Sequence, residues 1–106
     1  MNLYKINYDN INHVTELYTS NYSTLNLPQY VKEDFGENPD ALWDVLTGFI
    51  SGQAKFKFYG VNKLAKPMYS EFYTYILPIF NRTQQWYVKL NKDFSFTIID
   101  WHNKLE

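Results

Sequence analysis

The stretch Leu25 to Ile50, LNLPQYVKEDFGENPDALWDVLTGFI, decides how this chain is read, because it contains one well-punctuated helix with an unusual outer face. Asn38 followed by Pro39 is a strong helix start: an Asn side chain satisfies free backbone amides, and Pro suits the first helical position. Gly48 supplies a left-handed stop, so the expected helix runs from about residue 39 to 47. At about 100° per residue, Leu42, Val45, Leu46 and Phe49 form one stripe. Asp40, Asp44 and Thr47 form the opposite one, and Trp43 lies on the boundary.

The two carboxylates on that outer face differ. Asp40 sits in the first turn, where the helix dipole favours a negative charge by about 0.3–1 kcal/mol, so no partner is needed to explain it. Asp44 lies beyond the first turn, with Asp40 four residues before it and Gly48 four residues after. It gains no ion pair along the helix and suffers like-charge repulsion of a few tenths of a kcal/mol. An uncompensated carboxylate beside a half-exposed Trp suits a binding surface better than it suits helix stability.

Outward from this helix, the chain reads as alternating strands and helices. Residues 2 to 8 form a first strand. Val14, Leu17, Tyr18, Tyr22 and Leu25 then recur at helical spacing, with Asn12 as the expected N-cap. Alternation in Lys55-Phe56-Lys57-Phe58-Tyr59 marks a second strand. Met68 to about Lys89 is helical, with Pro78 expected to kink or split it, and Phe94 to Ile99 forms the third strand. Helices between strands require crossover connections, hence an α/β fold with a three-stranded, mainly parallel sheet covered by helices. Strand order does not follow from this pattern.

Length and composition bound the rest. The chain has 106 residues and 45% hydrophobic content, enough for a single domain, residues 1–106, around one core. There is no cysteine, which removes disulfides, thiolate metal sites and a thiol nucleophile, and makes the cytoplasm the expected compartment. The opening MNLYKINYDN lacks the apolar run of a signal peptide, and Tyr75 to Phe80 is too short to span a bilayer, so no membrane association is expected. Ten Tyr, eight Phe and three Trp supply a core of large planar groups with some left for contact surfaces. The net charge of −1 conceals segregation: no basic residue occurs from Glu33 through Ala54, and Lys55, Lys57, Lys63 and Lys66 then follow without an acid. The acidic half attracts a cationic partner.

Here a resemblance becomes specific. Leu27-Pro28-Gln29-Tyr30, and then Phe35 to Phe49, FGENPDALWDVLTGF, resemble the LPxY and (Y/F)GxNxDALWDxLTG segments, with the following aromatic, of the barstar family of intracellular ribonuclease inhibitors. The close match covers about a quarter of the chain, and the closing strand is similar more weakly. The resemblance implies a barstar-like fold and an immunity protein, monomeric and cytoplasmic, that binds a small cationic secreted nuclease, a ribonuclease, one to one. By motif position, Asp44 becomes the central phosphate mimic and Asp40 its acidic neighbour. Phe35, Gly36 and Asn38 form the contact loop, and Tyr30, Trp43, Thr47 and Phe49 surround it. Two departures are visible. Val31 to Asp34 read as an insertion that adds Glu33 and Asp34 beside the loop, and Arg82 falls near a position where the family offers a glutamate. The tail Asp100 to Glu106 extends past the family's usual end.

Other chemistry is poorly supported. Asp40 and Asp44 on an exposed helix lack the burial and third ligand of an acid/base or metal pair, and His13 and His102 stand alone. No cofactor, metal or enzymatic activity is expected. The alternative to an inhibitor is a module binding RNA or a non-ribonuclease protein, since Lys55-Phe56-Lys57-Phe58-Tyr59-Gly60 interleaves basic and aromatic residues. A strand with Phe facing the core and Lys facing water explains the same alternation and is preferred, so nucleic acid is not the expected partner.

Overall fold

A computed structural model describes residues 2–50 and 53–99, apart from the side chains of residues 32–34. Strands β1 (Asn2–Asn7), β2 (Ala54–Tyr59) and β3 (Phe94–Ile99) form one sheet in the order β1-β2-β3. Both pairings are parallel, with Tyr4 beside Phe56 and Phe56 beside Phe96 in register. The first crossover contains α1 (Val14–Thr24), α2 (Gln29–Asp34) and α3 (Pro39–Gly48), and the second contains α4 (Lys66–Glu71) and α5 (Leu77–Lys89). The expected α/β architecture is therefore present, with chain order and spatial order the same.

The alternation in β2 sorts its side chains as expected. Phe56 and Phe58 are buried with Ile6 of β1 and with Tyr8, which directly follows that strand, while Lys55 is exposed on the other side. The helices cover this aromatic face. Phe80 meets the rings of Phe56 and Phe58 edge-on at 5.0 and 4.9 Å, and Phe72 meets Phe58 at 5.2 Å. On the opposite face, Leu3, Lys5, Asn7, Lys55, Lys57, Tyr59, Ser95, Thr97 and Ile99 are all exposed or half-buried among the described residues. Helices thus cover one face of the sheet, where parallel sheets ordinarily bury both.

Two local expectations, the cap of α1 and the stop at Gly48, are corrected. The N-cap position of α1 is His13, one residue after Asn12. Here the Glu16 carboxylate reaches back to accept from the backbone N–H groups of Asn12 and His13 at 3.0 and 2.8 Å. Val31 to Asp34, read as an insertion, lie within α2, and Val31 is buried in the core. The long helical run is divided next to Pro78, as expected. A single π turn, Phe72–Ile76, joins α4 to α5 and leaves Pro78 in the first turn of α5, where a missing N–H and the ring's bulk are tolerated. Gly48 is not left-handed: the helix runs through it, and Phe49 at φ −121° is the C-cap. The tail from Asp100 to Glu106, including His102, lies outside the described residues.

Four core tyrosines make the fold sensitive to base. Burial pushes the Tyr8, Tyr18, Tyr22 and Tyr87 hydroxyls above the ordinary tyrosine range, and nearby Glu71 adds to the effect on Tyr18. The folded protein keeps these protons after an unfolded chain has released them. Their contribution to stability is complete below pH about 10 and is lost as pH rises above it. Urea midpoints are expected to hold steady from pH 7 to 9 and to drop steeply between pH 10 and 11. An unchanged midpoint across that upper interval would contradict the assignment.

Candidate functional site

The outer face of α3 is built by a loop that is fixed at several points. Asn38 Oδ1 accepts from the Ala41 amide at 2.9 Å, the expected cap, and Pro39 occupies the first turn. The preceding turn is held from α1, where the buried Tyr22 hydroxyl donates to the Gly36 carbonyl at 2.8 Å. A Cβ at Gly36 would stand 2.5 Å from Asn38 Nδ2, so a larger residue there would displace the amide of the capping side chain. Phe35 and Phe49, one before the loop and one after the helix, meet edge to face at 5.5 Å and tie the two ends together.

The C-terminal end of α3 is secured from a distant element. The Tyr87 hydroxyl of α5 lies 2.8 Å from the Leu46 carbonyl and 2.6 Å from that of Ile50, and shares its proton between them. Leu46 is among the carbonyls that a helix end leaves unpaired and Ile50 follows the C-cap, so Tyr87 does the work expected of a left-handed glycine and holds the exit of the chain. The Tyr87 ring stacks on Phe94 at 5.2 Å, which connects α3 through α5 to the start of β3. Tyr87→Phe keeps the ring and strands both carbonyls in a buried setting. A stability loss of about 1–3 kcal/mol is expected, read as a lower urea midpoint at constant slope. No change in midpoint would show that the hydroxyl is dispensable at the helix end.

On this frame, Asp40 and Asp44 are both exposed, and neither forms a side-chain hydrogen bond or ion pair among the described residues. Their field reaches inward as well. After burial, the charges of Glu37 and Asp44 are the next causes holding the Tyr22 hydroxyl protonated. Leu42, Val45 and Leu46 are buried beneath, as the stripe requires. Phe49 departs from that stripe; it is 40% exposed and packs on Phe35.

The remaining expected site residues divide. Asn38 and Gly36 are exposed on the loop, Phe35 is half-buried beside them, and Thr47 is half-buried with its hydroxyl donating to the Trp43 carbonyl at 2.8 Å. Tyr30 is 62% exposed on α2, with no hydrogen bond or ring contact to the α3 face among the described residues. Trp43 is more constrained than its sequence position indicates. The Arg82 guanidinium of α5 lies 4.0 Å above its ring, and Trp86 meets it edge-on at 6.2 Å. The cation that departs from the family pattern is therefore stacked on the indole and forms no ion pair with Asp44.

Sequence reading missed Tyr22 and Tyr87 as supports of this face. Both look like ordinary core positions at helical spacing, and nothing local marks where a hydroxyl will point. Neither a cluster of three His, Cys, Asp or Glu suited to a metal nor a helix long and apolar enough to cross a membrane occurs among the described residues.

The family model described as Barstar (barnase inhibitor) matches residues 1–99. The chain belongs to the barstar family, whose members are ribonuclease inhibitors. Among curated proteins, no sequence match is found.

Proposed function

We propose that this protein inhibits a small, cationic, secreted ribonuclease by covering its active site one to one. A ribonuclease must hold a phosphodiester among basic side chains, and a carboxylate on a preformed helix competes for the same charge-assisted hydrogen bonds. Asp44 takes the place of the substrate phosphate and Asp40 adds negative potential beside it. Phe35, Gly36 and Asn38 form the contact loop, with Tyr30, Trp43, Thr47 and Phe49 around the carboxylates. The observation that carries this reading is the outward Asp44 carboxylate, unpaired among the described residues, on a helix secured at both ends. Because that helix is fixed before binding, little ordering entropy is lost on association. An immunity role in the cytoplasm of the producing cell, as a monomer that acts by occlusion without catalysis, follows from the same reading.

The test has two parts. Purified protein is titrated against a barnase-type ribonuclease acting on a fluorogenic RNA, and activity should fall to zero near equimolar ratio. In parallel, immobilised protein is exposed to secreted proteins of the producing organism. A small basic nuclease retained by the native chain and released by the Asp44→Ala variant supports the proposal. Absence of both inhibition and such a partner defeats it.

A further inference from the structure

The open face of the sheet carries a charge pattern that inhibition by α3 does not use. Lys5 of β1 and Lys57 of β2 are direct neighbours in register, and Lys55 lies two residues before Lys57 on the same face. Like charges placed side by side across strands weaken a sheet. Edge protection does not account for them either, because β2 is the central strand and carries two of the three lysines. None of the residues 2–7, 54–59 or 94–99 is acidic, and none of the three lysines forms an ion pair among the described residues. Ser95 stands beside Lys55 and Thr97 beside Lys57, which adds hydroxyl donors, and Tyr59 is next along β2 on this face.

We infer that this face is a second binding surface, for the phosphodiester backbone of single-stranded RNA. Its charge calls for a polyanion, and strand geometry separates Lys55 and Lys57 by about 6.6 Å, two residues at about 3.3 Å each. Lys55 and Lys57 follow one another along β2 and Lys5 stands beside Lys57 on β1, so the three lysines form a compact corner of positive charge on the scale of adjacent phosphates. Lys contacts phosphate as a point charge with freely rotating donors, which suits a backbone that presents no fixed geometry. The chain's single Arg, Arg82, is stacked on Trp43 away from this surface. Tyr59 offers a ring on which a base can stack, in keeping with the general design of single-strand binders. Phe56 and Phe58 take no part, being sealed beneath the helices.

The probe is fluorescein-labelled decauridylate, followed by anisotropy with the full chain. Binding is expected at 50 mM salt, with a log–log salt slope of about −2 for three phosphates, which means about twentyfold weaker binding at 200 mM. Lys5→Gln, Lys55→Gln and Lys57→Gln combined should abolish it. The combination Lys66→Gln, Lys89→Gln and Lys92→Gln, with the same change in net charge, should leave it within about twofold. Tyr59→Ala should weaken it about fivefold or more. All variants are surface changes checked by circular dichroism, and Asp44→Ala should bind the RNA as the native chain does, which separates this test from that of inhibition. No binding at 50 mM salt, equal loss from both lysine triples, or equal retention by polyglutamate or phosphatidylserine vesicles overturns the inference.

Discussion

Asp44→Ala is expected to weaken ribonuclease inhibition by about a hundredfold to several thousandfold, the largest single effect of any change on α3. In the complex this carboxylate would be desolvated against basic groups of the enzyme. Removing one partner of a buried ion pair costs about 3–5 kcal/mol, because the other is left buried and uncompensated, and each 1.4 kcal/mol is tenfold in affinity. The loss should appear mainly in the dissociation rate. Asp40→Ala and Glu37→Ala remove exposed charges that steer the encounter, so they should lower the association rate and its salt dependence with a smaller change in affinity. Stability separates binding from folding here: Asp44 has Asp40 one turn away, so alanine at 44 should leave the urea midpoint unchanged or slightly raised. Inhibition assays, stopped-flow association and urea titration of the three variants decide the matter. Equal losses of affinity from all three would mean a diffuse field and no phosphate mimic.

The legible part of this site was its local part. Asn38 and Pro39 announce the start of α3 through groups within three residues of one another, and the Ala41 amide bonds Asn38 as expected. Helical spacing alone places Asp40 and Asp44 opposite Leu42, Val45 and Leu46, and their exposure agrees. The end of the same helix was misread because its stop is tertiary: Tyr87, about forty residues away, caps the carbonyls for which Gly48 was the local candidate. The same division holds across the fold. Alternation in β2 gives its two faces, because period two is a property of the strand itself. The break beside Pro78 was legible because its cause is local, whereas the order β1-β2-β3 and the seat of Arg82 on Trp43 depend on how separate elements pack, so no single segment encodes them. The helix α2 was not read from the sequence at all, since its six residues are too few to show a periodic stripe and only its packing, with Val31 buried, marks it.

Phe56→Ala is expected to cost about 3–5 kcal/mol, a large share of the roughly 5–15 kcal/mol that holds a domain of this kind together. Phe56 is fully buried on the central strand. Its ring stacks on Tyr4 of β1 at 4.9 Å, meets Phe80 of α5 edge-on at 5.0 Å and tilts against Phe94 of β3 at 5.3 Å. Truncation leaves a cavity bordered by all three strands and by α5, the helix whose Tyr87 secures the end of α3. The neighbours are themselves large planar groups packed on one another, as with Phe80 on Phe58 at 4.9 Å, so they have little freedom to collapse into the space. A urea midpoint lower by on the order of 1–3 M is therefore expected at constant slope. Lys55→Ala, one residue earlier on the open face, should stay within about 0.5 kcal/mol of the native chain. Phe56→Leu retains most of the volume and should recover much of the loss, giving a measurement even if the alanine variant fails to fold. Inhibition by the leucine variant should match the native chain at temperatures where it remains folded, because the ring contributes to the site only through the elements that carry it. A Phe56→Leu variant that is fully stable yet inhibits poorly would place Phe56 in the binding surface itself, and comparable losses from Phe56→Ala and Lys55→Ala would mean that the two faces of β2 are packed alike.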